Sequence, residues 1–324
     1  MKSQGHGNIS KKIPQFGLLF ILIMLFIMII VLLVSGCAEV GELQTESRSV
    51  DLGGAASADV ELEMYSGEMN IIGGTVGAEE LMDAEFRYNV DAWKPEIEYN
   101  IHEGRGRLIV RQPEIQGGIA GGSARNEWDL RLKEDVPMDL KARLSSGDCS
   151  LNMASSLLKK LDIGSSSGDI KAELSGNQPL LEEVEIDQAS GNTLLDLSGE
   201  YPALSSVIMD SSSGGINAGL TGNFGTLSLV EIELSSGDAS VDLTGNWSND
   251  SMMEVAVSSG DLTLRVPRNV GVYVEVDSVS GDITANDFRL EDSAYVNDAY
   301  GESEVTLRVK ASSSSGNIKL LFGD

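Results

Sequence analysis

The chain of 324 residues contains 50 acidic and 23 basic side chains, which give it a formal net charge of −27 at pH 7. The first 36 residues hold three of the lysines and no acid, so the other 288 residues carry a net charge of −30. Nucleic acids bind to basic faces, so this balance excludes nucleic-acid binding and opposes docking onto anionic lipid or anionic wall polymers. With 41% apolar residues, the chain is expected to be globular rather than disordered.

The N-terminal segment has the pattern of an export signal. Lysines precede an unbroken apolar run from Leu18 to Val34, and small residues then lead to Cys37. The ending Val-Ser-Gly-Cys resembles a lipobox, which predicts removal of the signal and lipid attachment at Cys37. An uncleaved anchor is the alternative, because the apolar run is longer than the usual signal core of about 7–15 residues and approaches the roughly 17–25 of a spanning helix. Both alternatives predict a chain that is attached to the membrane by its N-terminus and lies outside the cytoplasmic membrane.

The rest of the chain divides into three segments after the signal or anchor of residues 1–37. Residues 38–49 are polar and lack periodicity, which indicates a linker. Residues 50–135 contain alternating stretches such as AEFRYNV and RLIVRQ, and we expect them to form a strand-rich N-terminal unit that begins and caps the following array. Residues 136–324 form that array of repeats.

A Ser-Gly-Asp turn recurs through the array with a nearly constant period. Its glycines are separated by 21, 23, 23, 23, 23, 21 and 35 residues. They are Gly147, Gly168, Gly191, Gly214, Gly237, Gly260, Gly281 and Gly316. A related turn in VELEMYSGEMNIIG, residues 60–73, indicates that one more unit precedes the array. Periods of this length are typical of stacked arrays, in which each unit covers the next.

Each repeat consists of two short alternating strands around its turn. In Val230–Gly245, apolar and polar residues alternate on both sides of Gly237, which predicts strands with one buried face. Either a meander of hairpins or a parallel β-solenoid could produce this pattern. Identical corners at a constant period favour the solenoid, with coils of about 23 residues whose like residues stack on one another. A second corner is visible at Leu174, Leu197, Leu220 and Leu243.

The residue after each corner glycine forms a mostly acidic column along one edge. Its members are Asp148, Asp169, Asn192, Gly215, Asp238, Asp261, Asp282 and Asn317. Asp and Asn bond to their own backbone at turns, so the first interpretation is structural. Weak cation binding along these acidic corners is the alternative, since like charges one strand apart repel each other.

We find no pattern that predicts a catalytic, cofactor-binding or metal site. The exported part contains one histidine, His102, without a motif around it, so neither a Ser-His-Asp triad nor a zinc site is expected. Cys149 occupies an inward slot and is predicted to be a small buried hydrophobe. Trp247 is expected to cover the core at a coil corner, with sugar stacking as the alternative. The longest insertion, Phe288–Glu304, is predicted to cap the last coil, with a binding surface as the alternative.

Several stretches resemble known families. SGEMNIIGG, AEFRYNV, WKPEIEYN, NEWDLRL and VPMDLKARLSSGD look like the toast-rack N-terminal domain of bacterial and archaeal surface proteins. The array from Leu140 to Asp324 is similar to the "putative-adhesin" β-solenoid family, and the extracytoplasmic domain of cell-wall-active antibiotic response proteins belongs to the same broad group. The resemblance implies a solenoid and carries no catalytic residues.

The sequence therefore predicts an all-β protein, a parallel β-solenoid with a strand-rich N-terminal cap and an N-terminal anchor or signal helix. The expected function is that of a non-enzymatic, membrane-anchored surface or envelope protein that binds a protein or glycan partner through its solenoid faces. The resemblance also leaves open an accessory in envelope-stress sensing or signalling. A carbohydrate-active enzyme that uses paired carboxylates is a further alternative.

Overall fold

The computed structural model describes residues 38–114, 119–120, 123–278 and 280–323. Cys37 and the apolar run of the predicted anchor lie outside these ranges. Within them, no helix is both long and apolar enough to cross a membrane. The only helical element among the described residues is a single 3-10 turn, Asp91–Trp93.

The first nine strands lie in the region before the array, which covers the predicted linker and the predicted cap. They are β1 (Ala38–Glu39), β2 (Gln44–Asp51), β3 (Ser57–Met64), β4 (Glu68–Gly74), β5 (Glu80–Tyr88), β6 (Glu96–His102), β7 (Arg105–Arg111), β8 (Ile119–Ala120) and β9 (Asn126–Lys133). The linker expected over residues 38–49 is thus partly strand. The sequence pattern does not show β2 because only Val50 among its side chains is buried, while its backbone pairs with β5.

The repeats supply the strands of the array. In chain order these are β10 (Met138–Leu144), β11 (Cys149–Met153), β12 (Leu158–Ser165), β13 (Ile170–Leu174), β14 (Glu183–Gln188), β15 (Thr193–Leu197), β16 (Glu200–Tyr201), β17 (Ser206–Ser211), β18 (Ile216–Leu220), β19 (Asn223–Phe224), β20 (Leu229–Leu234), β21 (Ala239–Asp242), β22 (Asn246–Trp247), β23 (Ser251–Ser259) and β24 (Leu262–Val266). The C-terminal strands are β25 (Gly271–Ser278), β26 (Ile283–Thr284), β27 (Arg289–Glu291), β28 (Ala294–Val296), β29 (Thr306–Ser315) and β30 (Ile318–Phe322).

Two long sheets face each other across one core. Sheet 1 has the order β27-β28-β25-β29-β23-β20-β17-β14-β12-β10-β3-β7-β6, and sheet 2 has the order β2-β5-β9-β4-β11-β13-β15-β18-β21-β24-β30-β26. Throughout the array, each strand pairs in parallel with the equivalent strand of the next coil, as β14 does with β17. This confirms the parallel solenoid and rules out the hairpin meander. Three middle coils add a third short sheet, β16-β19-β22, at the second corner.

The core is a continuous column of inward side chains. In the coil of β20 and β21, Val230, Ile232 and Val241 are at most 1% exposed, while the residues between them face outward. The same alternation in every coil joins residues from Val50 to Leu320 into one apolar cluster. No break separates residues 50–135 from the array, because β10 pairs directly with β3.

The coils at both ends are stacked in an order that differs from their order in the sequence. At the C-terminal end, the last coil, β29 and β30, lies between the coil of β23 and β24 and that of β25 and β26. At the N-terminal end, β3 and β4 lie between β10 and β11 on one side and β7 and β9 on the other. The repeat pattern alone did not predict either exchange.

Antiparallel strands close the ends of the array. At the N-terminal end, β6 pairs with β7, and β5 and β2 extend the sheet beyond β9. At the C-terminal end, the insertion Phe288–Glu304 forms a hairpin whose strand β28 pairs with β25. Asn297 is 2% exposed and holds the insertion by donating to the Val270 carbonyl at 2.7 Å. Phe288 stacks on Phe322 with ring centres 4.2 Å apart. The insertion is therefore a cap, as predicted.

The first corner requires glycine because successive coils touch there through their backbones. The eight corner glycines of the array have φ between 109° and 145°, which L side chains rarely adopt. A Cβ added to Gly237 would lie 1.9 Å from the carbonyl oxygen of Gly214 in the neighbouring coil.

Replacement of this glycine tests the corner. We expect Gly237→Val to lower the free energy of unfolding by at least about 3 kcal/mol, because backbone strain and overpacking each cost roughly 1–3 kcal/mol. The matched control is Gly104→Val, where φ is 79° but no atom lies within 4 Å of the added Cβ; strain alone should cost about 1–2 kcal/mol there. Urea unfolding of both variants measures the difference, and an unchanged stability of Gly237→Val would contradict the assignment.

Candidate functional site

The acidic corner column forms a ladder of hydrogen bonds. The side-chain oxygen of one corner accepts the backbone N–H of the equivalent residue in the next coil. The donor–acceptor pairs are Asp169 N to Asp148 Oδ1 at 2.8 Å, Asn192 N to Asp169 Oδ1 at 2.7 Å, Gly215 N to Asn192 Oδ1 at 3.1 Å, Asp261 N to Asp238 Oδ1 at 2.9 Å, Asn317 N to Asp261 Oδ1 at 2.7 Å and Asp282 N to Asn317 Oδ1 at 3.0 Å. The carboxylates thus satisfy amides that would otherwise lack partners.

This geometry supports the structural interpretation of the column. Each bonded carboxylate oxygen receives an N–H dipole, and asparagines at two positions interrupt the row of charges. No group of three or more metal-ligating side chains with suitable geometry occurs within the described ranges. Weak cation binding at the corners remains a prediction.

The second corner contains a buried aromatic column. Tyr201 stacks on Phe224 with ring centres 5.3 Å apart, and Phe224 lies 4.8 Å from Trp247. Trp247 is 6% exposed and its Nε1 donates to the Leu243 carbonyl at 2.9 Å. The prediction that Trp247 covers the core at a corner is confirmed, and its ring has no free face for a sugar.

The remaining residues considered for chemistry are far from any reactive arrangement. His102 is fully solvent-accessible at the end of β6, and its nearest charged neighbour is the adjacent Glu103. Cys149 is buried as predicted, and burial raises the pKa of its thiol to about 12, which keeps it protonated and unreactive. Cys37, the predicted lipid-attachment residue, lies outside the described residues.

Two large exposed apolar side chains of the array lie together on the outer face of sheet 1. Met252 is 65% exposed and Leu229 is 37% exposed, and they are direct neighbours across β23 and β20. Ile208 on β17 is half-buried and lies diagonally from Leu229, directly opposite Glu231 on β20. We call these three residues the apolar stripe. Exposed apolar residues that cluster on an otherwise polar sheet are typical of interaction surfaces.

Aromatic residues extend this surface toward the C-terminal cap. Arg308 lies between Met252 and Tyr273 in the strand register, because β29 lies between β23 and β25. Its guanidinium lies 5.3 Å from the centre of the Tyr273 ring, which in turn lies 5.4 Å from the ring of Tyr300. The insertion thus contributes Tyr300 to the outer face in addition to capping the array.

Carboxylates line the other side of the apolar stripe. Asp187, Asp210 and Glu233 stand opposite one another on β14, β17 and β20. We call them the acidic row; together with Arg143 they line an open groove of about 520 Å³. None of the three pairs with a lysine or arginine of the described chain, and Arg143 instead bonds to Asp162 at 2.7 Å.

The acidic row is electrostatically strained. Desolvation on the sheet raises the pKa of Asp210, and repulsion from Glu233 and Asp187 adds to the effect. Desolvation and Glu185 raise the pKa of Asp187, although Arg143 partly opposes this. Both shifts mean that the folded state disfavours the charged form of these carboxylates. The row brings three negative charges together, and Arg143 compensates for them only in part.

The gap in the corner ladder predicts a stabilising substitution. Gly215 supplies no side chain, so the amide of Asp238 lacks the acceptor that other corners provide. Gly215 has no positive φ, and an added Cβ would come no closer than 3.3 Å to its nearest neighbour, Asn192 Oδ1. Gly215→Asn should therefore raise the free energy of unfolding by about 1–2 kcal/mol, from one hydrogen bond and reduced chain entropy.

Thermal and urea unfolding measure this gain. The matched control is Gly214→Asn, one residue earlier, where φ is 115° and the added Cβ would lie 1.8 Å from the Gly191 carbonyl oxygen. That variant should be strongly destabilised. A Gly215→Asn variant no more stable than the parent would show that the ladder adds little to stability.

The acidic row predicts a pH-dependent gain. Because the pKa of Asp210 is raised on folding, the folded chain binds this proton more tightly, and stability falls as pH rises through the range between the unfolded and folded pKa values. The penalty is fully present at neutral pH. Asp210→Asn should stabilise the chain there and lose this advantage in acid. Urea unfolding across this pH range tests it, with Asp196→Asn on β15 as the control for net charge; a gain independent of pH would contradict the prediction.

Comparisons with known proteins agree with this architecture. The family model for the N-terminal domain of toast_rack (DUF2154) matches residues 39–193, and the Toastrack DUF4097 model matches residues 223–321. Among curated proteins, none matches the chain in sequence.

Solved structures similar to this chain include proteins described as adhesins. A "putative cell adhesion protein" from Clostridium sporogenes is 23% identical, covers 87% of this chain and 100% of its own, and has a TM-score of 0.34. A "putative adhesin" from Bacteroides fragilis is 11% identical over 87% of this chain and 99% of its own, with a TM-score of 0.43. With TM-scores this low, the assignment depends on the sequence models. Because toast-rack models match residues 39–193 and 223–321, the chain belongs to the toast-rack family.

Proposed function

We propose that the protein is a membrane-anchored, extracytoplasmic surface protein without enzymatic activity that binds a partner through the outer face of sheet 1. The observation that carries this proposal is the contiguous surface formed by the apolar stripe, Arg308 and the tyrosines of the C-terminal cap. These side chains are exposed on a regular sheet, where burial by a partner would release water from apolar area.

The shape of the molecule supports binding rather than catalysis. The coils are uniform, and the corners stack closely on one another, so the described part of the solenoid presents long flat faces. The longest insertion is used as a cap held by Asn297. Flat faces with a central apolar cluster and a polar surround are typical of protein–protein interfaces.

The N-terminal sequence supports display outside the cytoplasmic membrane. Cys37 directly precedes Ala38, the first residue of β1, and β1 pairs with β8 in the N-terminal region. An anchor at this point would attach the N-terminal end of the solenoid to the membrane. The C-terminal surface, many coils away, would then be the part most accessible to partners.

The mass and accessibility of the full chain test this proposal. We expect protein purified from its own membranes to begin at Cys37 with attached lipid, and Cys37→Ala to lose the lipid. A cysteine introduced at the exposed position Ser258 should react with an impermeant maleimide on intact cells, whereas one at the buried position Val255 should react only after unfolding. An unmodified chain that retains residues 1–36 would establish the helical anchor instead. A Ser258→Cys variant labelled only after lysis would overturn the surface location.

A further inference from the structure

Two different surfaces lie side by side on the outer face of sheet 1. On β20, the outward residues are Leu229, Glu231 and Glu233, so a single strand runs from the apolar stripe to the acidic row. At about 3.3 Å per residue, Leu229 and Glu233 lie about 13 Å apart along β20, and Ile208 and Asp210 lie about 7 Å apart along β17, with strands about 4.8 Å apart across them. The combined surface therefore has the width of one helix or a few extended residues, with apolar contacts on one side and carboxylates on the other.

The charges on this surface are not balanced by the described chain. The nearest lysines are already engaged: Lys160 bonds to Glu183 and Glu185 at 3.2 and 3.3 Å, and Lys310 bonds to Glu254 at 2.5 Å. The acidic row and Glu231 form no such ion pair among the described residues; Arg143 lies near the row and partly offsets the charge of Asp187, but it bonds to Asp162. Toward the N-terminal end of sheet 1, acids and bases instead alternate, as Arg107 does with Glu61 at 3.1 Å.

Charge complementarity selects the chemistry of the partner. A cationic group over the acidic row would relieve the repulsion between Asp187, Asp210 and Glu233. This repulsion destabilises the free protein. Anionic wall polymers and anionic lipid head groups would be repelled. A neutral glycan would cover the carboxylates without compensating for them, and a polycation without apolar groups would leave Leu229 and Met252 exposed.

We propose that this face binds a segment of a partner protein that is basic along one side and apolar along the other. The inference rests on the proposed surface role and deepens it by naming the chemistry of the partner. Basic side chains lie over the acidic row and Glu231, while apolar side chains pack on the apolar stripe. Arg308 and Tyr273 form the edge of the site on the side of the C-terminal cap.

Model peptides test the inference directly. The full chain, in a non-ionic detergent, is immobilised and probed with three labelled helical peptides of equal length, composed of leucine and lysine, leucine and glutamate, or serine and lysine, with binding to empty micelles subtracted. We expect the leucine–lysine peptide to bind at least tenfold more tightly than either of the others. Equal binding of the leucine–lysine and leucine–glutamate peptides would overturn the inference.

Paired variants locate the binding to this face. Glu233→Lys should weaken binding of the leucine–lysine peptide about tenfold, and Met252→Ser at least threefold. The matched control, Asp196→Lys, makes the same charge change on the outward side of β15 in sheet 2 and should leave binding within twofold of the parent. If Glu233→Lys and Asp196→Lys weaken binding equally, the peptide is attracted by the net charge of the chain and not by this face, and the inference fails.

The outcomes separate this inference from the proposed function. A chain that is labelled on intact cells but does not prefer the leucine–lysine peptide overturns the partner chemistry alone. The opposite result is a chain that binds this peptide preferentially, loses that binding when Glu233 or Met252 is replaced, and is labelled only after lysis. That result overturns the surface location and supports the binding site. Melting temperatures of the variants that are at or above that of the parent show that each loss arises at the surface and not from unfolding.

Discussion

Direct backbone contact at the first corner is the constraint on which the rest of the structure depends. A Cβ at Gly237 would lie 1.9 Å from the next coil, so only glycine lets the corners approach to strand spacing. Once the corners touch, each coil is held in register with its neighbour. The register then aligns the inward residues into one core, the corner side chains into a hydrogen-bonded ladder, and the outward residues into rows. The same contact that aligns the core therefore also aligns the side chains of the proposed binding face.

The exchange of coils at both ends follows from the same register. Gly281 and Gly316 occupy equivalent corners, so the coil of either glycine could stack on the coil of Gly260. In the structure, the amide of Gly260 donates to the carbonyl of Ser315, whose coil comes last in the chain. The coil of Gly281 then becomes the outermost one, directly followed by the Phe288–Glu304 insertion. This order lets the insertion fold back antiparallel onto β25 and cover the free edge. It also places Arg308 between Met252 and Tyr273, which joins the stripe to the aromatic residues.

The sequence was sufficient to predict the features that repeat and insufficient for those that depend on which coils are neighbours. Regular turns predicted the parallel coils, the buried Cys149 and Trp247, and the structural use of the corner acids, because each is determined within one or two adjacent repeats. The strand β2 was missed because edge pairing through the backbone leaves no alternation in QTESRSVD. The acidic row could be found in principle, since Asp187, Asp210 and Glu233 occupy the same slot at intervals of 23 residues. The proximity of Met252 to Arg308 could not be predicted from the sequence, because 56 residues and an exchanged coil separate them in the chain.

The acidic row lowers the stability of the folded chain but favours the proposed binding of a basic partner. A solenoid optimised only for stability would alternate the signs of charge along each outward row, as sheet 1 does where Arg107 meets Glu61. On β14, β17 and β20 it instead places three carboxylates opposite one another. Desolvation on the sheet raises the pKa of Asp187 and Asp210, repulsion from Glu233 and Asp187 adds to the shift of Asp210, and both shifts lower stability at neutral pH. Neither the core nor the corner ladder uses these side chains. A local cost to stability, located on the same sheet face as the exposed Met252 and Leu229, is the pattern expected where a partner supplies the missing charge and covers the apolar area.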